Sequence, residues 1–237
     1  MKTNPLYMTD PYLKSMDATV LELIPEGDIT RIILDQTVFY PMGGGQPTDQ
    51  GKLHLDGAIV DVYQVLMKEG EINHYVMNAP TIEPGKKIKG EINWDRRFKH
   101  MRIHSAAHVI DFALHVMGFV PITLKPMKGD HGKSPFIVYE GNPGKDILNE
   151  LERKCEEMIK NDMKFSWGFI PLDELEKEAI YLQPNLPKNK PMRTLRLEGV
   201  GSVADGGTIV STTSQVGPIK IALEQKGPEF IVKYQLL

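Results

Sequence analysis

Residues 96–118, RRFKHMRIHSAAHVIDFALHVMG, decide how the rest of the chain is read. Ile103, Ala107, Ile110, Leu114 and Met117 recur at spacings of three and four, which predicts a helix over 96–117 with one apolar stripe. Gly118 stops it. His104 and His108 stand one turn apart on one face of that helix, so both imidazoles can reach a common metal ion. Ser105, Ala106 and Ala107 between them are small and leave room for another group to approach. No glutamate follows His104, so this is not the zinc-protease pattern, and two histidines at this spacing also occur as packed or surface residues. Arg96, Arg97, Lys99 and Arg102, beside His100, form a dense basic cluster. Such a cluster is either a solvated helix face or a patch for phosphates.

Upstream of this helix the chain reads as short strands joined by turns. Ile29–Tyr40 is β-branched and aromatic and breaks at Pro41-Met42-Gly43-Gly44-Gly45. Lys52–Leu55 and Ala58–Met67 flank Asp56-Gly57, a hairpin signal. Ile72–Met77 and Lys87–Trp94 follow, separated by the Pro84-Gly85 turn. Strands at this spacing predict a small β-barrel over residues 1–92. Downstream, strands are expected at Pro135–Tyr139, Thr194–Leu197, Ile219–Leu223 and Phe230–Leu237. Helices are expected from Ile147 to Met158, with Cys155 on the apolar stripe, and from Leu172 to Ile180. Gln183–Pro191, with three prolines, reads as a loop. The fold class is therefore α+β: a barrel followed, over 93–237, by a domain with helices packed on a mainly antiparallel sheet.

Composition sets the limits. The 237 residues are 41% apolar and 25% charged, which excludes disordered, coiled-coil and collagenous classes. Apolar runs are too short for a membrane helix, and the N-terminus, MKTNPLYMTDPYLKSMD, lacks the apolar core of a secretory signal. A single cysteine, Cys155, excludes an internal disulfide and a multi-thiolate zinc site. A cytoplasmic protein without membrane contact is expected. The net charge of −3 hides an asymmetry: residues 1–90 hold 8 basic and 12 acidic side chains, residues 91–237 hold 20 and 19.

Two further constellations bear on chemistry. Ala204-Asp205-Gly206-Gly207-Thr208 joins an acid to a glycine pair, followed by the hydroxyls of Ser211 to Ser214. It is either a plain turn between strands or a close-approach loop in which Asp205 is an oxygen ligand beside the two histidines. Met42 to Asp49, MGGGQPTD, is a loop without the spacing of a dinucleotide or P-loop motif.

Taken together, the motifs resemble one family. The run from Thr37 to Leu53, TVFYPMGGGQPTDQGKL, is similar to the N-terminal signature of alanyl-tRNA editing proteins, the AlaX family, and to the editing region of alanyl-tRNA synthetase. Trp94 to His108 resembles that family's HxxxH helix. Asp205-Gly206-Gly207-Thr208-Ile209-Val210, then Thr213 to Gly217, resembles its CGGTHV segment. The order and spacing cover nearly the whole chain, and the glycine-rich barrel suggests the medium-length form. The resemblance implies an ATP-independent hydrolase acting in translation fidelity, with 93–237 an editing domain like the second additional domain of the synthetase. Its expected substrate is mischarged tRNA(Ala), chiefly Ser-tRNA(Ala) and also Gly-tRNA(Ala), with no obligate protein partner.

By the same resemblance one Zn²⁺ is expected on His104, His108 and Asp205, with His104, His108, Thr37 and Gln46 as catalytic residues. Gly43, Gly44, Gly45, Gly206, Gly207 and Thr208 are expected to line the aminoacyl pocket. Arg96, Arg97, Lys99 and Arg102 are expected to contact tRNA. The chain departs from the family pattern at two ligands: Asp205 stands where the family has cysteine, and Ile209, which cannot bind metal, where it has histidine. His131 and His100 are conceivable substitutes. Two other readings stay open: a tRNA-binding module of the same fold whose chemistry has lapsed, and a metal-dependent hydrolase of small esters.

Overall fold

The structure is a computed structural model describing all residues except Met1, Asp56, Thr81 and Asn185. The chain divides into two compact units, Met1–Lys99 and His100–Leu237. The division falls inside the helix α1, Trp94–Val116. Among the described residues no helix is long and apolar enough to cross a membrane.

The first unit is a closed antiparallel barrel. Ser15–Glu26 pairs with Ile29–Leu34, which pairs in turn with Glu71–Met77, Ala58–Lys68, Gly51–Leu55 and Lys87–Ile92. This last strand returns to Ser15–Glu26. Period-two patterning puts Met16, Ala18 and Val20 of the longest strand inside. Closure removes exposed sheet edges. Phe39 lies wholly buried in this core. A side chain at Gly51 would meet the Glu91 carbonyl at 2.1 Å and the Phe39 ring at 2.9 Å, so the glycine is there for close approach. The expected Ile29–Tyr40 strand stops at Leu34, with a short piece at Gln36–Thr37. The expected Asp56-Gly57 turn falls partly on Asp56, outside the described residues; Leu55 and Ala58 pair beside it.

In the second unit a four-stranded antiparallel sheet takes the spatial order Ile219–Lys226, Glu229–Leu236, Phe136–Gly141, Leu124–Asp130. Leu124–Asp130 was not expected as a strand, because LKPMKGD has almost no apolar pattern; it is an edge strand, where Pro126 is tolerated. A second sheet orders Phe165–Ile170, Met192–Leu197 and Gly201–Ala204. The helix α2, Leu148–Lys160, buries Leu151, Cys155 and Met158. The thiol of Cys155 is pushed up by burial and is a core group. The expected helix over Leu172–Ile180 is only α3, Leu172–Leu175. Beyond it the Ile180 N–H donates to Ser202 and the Ser202 N–H to Glu178, so a strand captures the chain.

Candidate metal centre

The helix α1 builds half of the centre. Its start is capped by Asn93, whose side-chain oxygen accepts the Arg96 N–H at 3.0 Å. Its end closes at Gly118, at φ 82°, with the Phe119 N–H donating back to Leu114 at 2.9 Å. Between them the face carrying Ala106, Ala107, Ile110 and Leu114 is buried, and His104 and His108 are buried with it. The small residues do admit a neighbour, namely the chain's own segment 208–210: the Val210 N–H donates to Ser105 Oγ at 3.0 Å, and Ile209 is fully buried. Position 209 is thus a core position.

The other half comes from the end of the Gly201–Ala204 strand. Asp205 Oδ1 lies 3.4 Å from His104 Nε2 and 3.6 Å from His108 Nε2. His104, His108 and Asp205 each offer one ligand atom, all within 4.8 Å of one another, and form a group able to hold a metal ion. The set fits one by its chemistry, two imidazoles and a carboxylate. It also fits by its unpaired atoms: among the described residues neither ring nitrogen of the buried His108 has a hydrogen-bond partner. Its nearest carboxylate oxygens, from Asp205 and Asp111, stand 3.6 and 3.9 Å away, and an ion facing Nε2 would complete that side.

The surrounding groups set the charge. Burial disfavours charge on Asp205, but His108 and the Arg193 guanidinium prevail and hold its carboxyl well below the usual range. His104 is pushed well down by burial and by neighbouring His131, which keeps it neutral, the form that binds metal. For His108 burial is outweighed by the Asp205 and Asp111 carboxylates, which raise it. Asp111 Oδ2 is 3.9 Å from His108 Nδ1, and the carboxylate accepts the hydroxyls of Tyr139 and, at 3.3 Å, Tyr181. Burial raises Asp111.

Of the substitutes, His131 stacks on His104 with ring centroids 4.3 Å apart, and its Nδ1 pairs with the Tyr234 hydroxyl at 2.7 Å. It is a neighbour of the donor group and not one of its three members. His100 is likewise outside it. Gly207, expected to donate to substrate, gives its N–H to Asp205 Oδ2 at 3.1 Å; Gly206 is exposed and Thr208 buried.

The expected barrel contributors divide. Gly43, Gly44 and Gly45 are exposed, whereas Thr37 and Gln46 are fully buried. The Thr37 hydroxyl lies 2.8 Å from His74 Nε2 and accepts the Phe39 N–H. The basic cluster is corrected in two places. Arg97 is fully buried; it ion-pairs with Asp49 and donates to the carbonyls of Pro11 and Val38, so its charge serves the barrel and not a phosphate. Arg102 spends Nε and Nη2 on the Val216 carbonyl at 3.0 and 2.9 Å, tying the helix to the 213–216 turn. Lys99 is exposed, and the half-buried Arg96 donates to Thr48. Arg193 and Asp111 escaped sequence reasoning; for Asp111 the i+3 spacing from His108 was an available sign, for Arg193 there was none.

The chain is similar to proteins that charge tRNA with alanine or edit that charging. The family model for class II (A) tRNA synthetases matches residues 12–96. The alanine–tRNA ligase of Pyrococcus abyssi is 36% identical over 224 residues, 93% of this chain but 24% of the ligase. The chain thus spans about a quarter of the length of the ligases it matches. The alanyl-tRNA editing protein AlaX-M of Methanosarcina barkeri is 34% identical over 236 residues, 95% of each chain, and AlaX-L of Pyrococcus horikoshii is 30% identical over 219 residues, 53% of that protein. The chain belongs to the alanyl-tRNA editing protein family, alongside its AlaX-M members.

Proposed function

We propose that the protein is an editing hydrolase that cleaves the ester between a wrong amino acid, chiefly serine and also glycine, and tRNA(Ala). Membership of the family, whose AlaX-M members correspond to this chain along most of their length, supports the aminoacyl-tRNA hydrolase reading. The single observation that carries the reading is the three-donor group His104, His108 and Asp205. Such a second site has a physical reason: an apolar amino-acid pocket rejects an added hydroxyl poorly, so correction must follow charging.

His104, His108 and Asp205 would hold Zn²⁺, which when bound supplies Lewis-acid polarisation and a water of lowered pKa. The chain's own residues prepare that site. Burial keeps His104 neutral, and Gly207 and Arg193 hold the Asp205 carboxylate in place. Burial of the ring-lined face excludes bulk water. Gly206 is exposed backbone that a ligand can approach, and so, within the barrel unit, is the Gly43–Gly45 loop, which the buried Gln46 closes by backbone pairing with Gly43. Lys99 and Arg96 are the phosphate contacts retained from the basic cluster. The reaction requires no ATP and takes place in the cytoplasm, where charged tRNA is.

Release of labelled serine from Ser-tRNA(Ala), with Ala-tRNA(Ala) as control, tests the reading. Selective release is expected. Retention of tRNA without turnover would favour a lapsed binding module, the reading that the buried Ile209 favours. Hydrolysis of small esters with indifference to tRNA would favour the third reading.

A further inference from the structure

We propose that Arg193 is a positioning residue of the metal centre: it holds one oxygen of the Asp205 carboxylate so that the other alone is offered to the ion. The inference rests on the metal-ligand reading of His104, His108 and Asp205. The two carboxylate oxygens have separate surroundings. Oδ1 faces both histidine nitrogens, at 3.4 and 3.6 Å. Oδ2 faces Arg193 Nη1 at 3.3 Å and accepts the Gly207 N–H at 3.1 Å. The same Nη1 donates to the Asp205 carbonyl at 3.0 Å, so one guanidinium grips residue 205 at both backbone and side chain.

The fold fixes this grip. Met192–Leu197 pairs with Gly201–Ala204, and just past the last pair, Thr194 with Ala204, the Asp205 N–H donates to the Arg193 carbonyl at 3.0 Å. Arg193 is buried, with the Trp167 ring 6.0 Å from its guanidinium carbon. A thiolate presents a single donor atom, as in the family's cysteine. A carboxylate presents two and can bind through one or both, so a donor held on one oxygen favours binding through the other alone. A planar guanidinium suits that task because its N–H groups point in fixed directions; the flexible ammonium of lysine does not reproduce them.

The test uses the full-length protein, stripped of metal and titrated with Co²⁺ and Zn²⁺ against a chromogenic chelator, with the visible spectrum of the cobalt form as a second readout. The forms compared are wild type, Arg193→Lys, Arg193→Met, Asp205→Cys and Asp205→Cys/Arg193→Lys. Arg193→Lys is expected to weaken binding about 10- to 100-fold and to change the cobalt band as the second carboxylate oxygen enters the shell. In the Asp205→Cys background the same lysine substitution is expected to leave affinity unchanged. Wild-type affinity and spectrum in a folded Arg193→Lys protein would overturn the inference. So would an equal loss in the cysteine background, which would mark Arg193 as a support of the fold alone. Failure of the wild type itself to take either ion would sink the metal-ligand reading first and this inference with it.

Discussion

At the scale of single residues, the candidate metal centre is three side chains, His104, His108 and Asp205, whose neighbours set their charge states. His108 is the telling one: its buried ring nitrogens face carboxylate oxygens of Asp205 and Asp111 at 3.6 and 3.9 Å, longer than hydrogen bonds, and an ion at Nε2 would close that gap. His108→Ala is expected to lower serine release at least about 100-fold and to abolish stoichiometric zinc binding; metal analysis by mass spectrometry checks the second point independently. A different histidine governs stability. His74 is buried in the barrel, its Nδ1 3.0 Å from the Ile32 carbonyl, and burial lowers its pKa to about 4 from 6.5. The folded form therefore resists a proton that the unfolded chain accepts. The penalty is absent above about pH 6.5, grows as pH falls, and is complete below about pH 4, reaching roughly 3 kcal/mol. Thermal unfolding of wild type and His74→Phe between pH 7 and 4 should show the wild type losing more stability; parallel curves would remove His74 from the account.

At the scale of elements, α1 carries two kinds of cation that its sequence does not distinguish. Arg97 and Lys99 are two residues apart, yet one is buried against Asp49 and the other is exposed. Arg97→Leu leaves the Asp49 carboxylate buried without its cation, and a loss of about 3–5 kcal/mol in denaturant unfolding is expected. Lys99→Ala should instead leave stability within about 0.5 kcal/mol. It should reduce the slope of log affinity for tRNA against log salt by about one; an unchanged slope would take Lys99 off the interface. The helix itself was legible from its apolar period and from Gly118. The fates of Arg97 and Arg102 were not, because their partners Asp49 and Val216 are 48 and 114 residues away. Leu124–Asp130 was hidden for another reason: an edge strand held by backbone pairing needs no apolar pattern.

At the scale of the whole molecule, the closed barrel and the α+β class followed from turn chemistry and period-two strands in the first part and helical stripes in the second. His104, His108 and Asp205 were named from spacing and motif, His104 and Asp205 standing 101 positions apart in the chain while 3.4 Å separates their side chains. What spacing could not supply was the shell: Arg193 behind Asp205, Asp111 beside His108, and His131 stacked on His104. Each is set by tertiary packing rather than by a local pattern. Ile209 shows the same limit from the other side, since only the packed segment reveals it as a core residue and not a displaced ligand.

This three-donor centre, with Ile209 where the resembled motif has a histidine, is proposed to support editing still. Its most direct test is the rate of serine release from Ser-tRNA(Ala) by the full-length protein as purified, after removal of metal with a chelator, and after restoration with one equivalent of Zn²⁺. Release is expected to be lost on stripping and regained on restoration, with Ala-tRNA(Ala) left intact throughout. Release that is indifferent to the metal, or no release from any form, would contradict it.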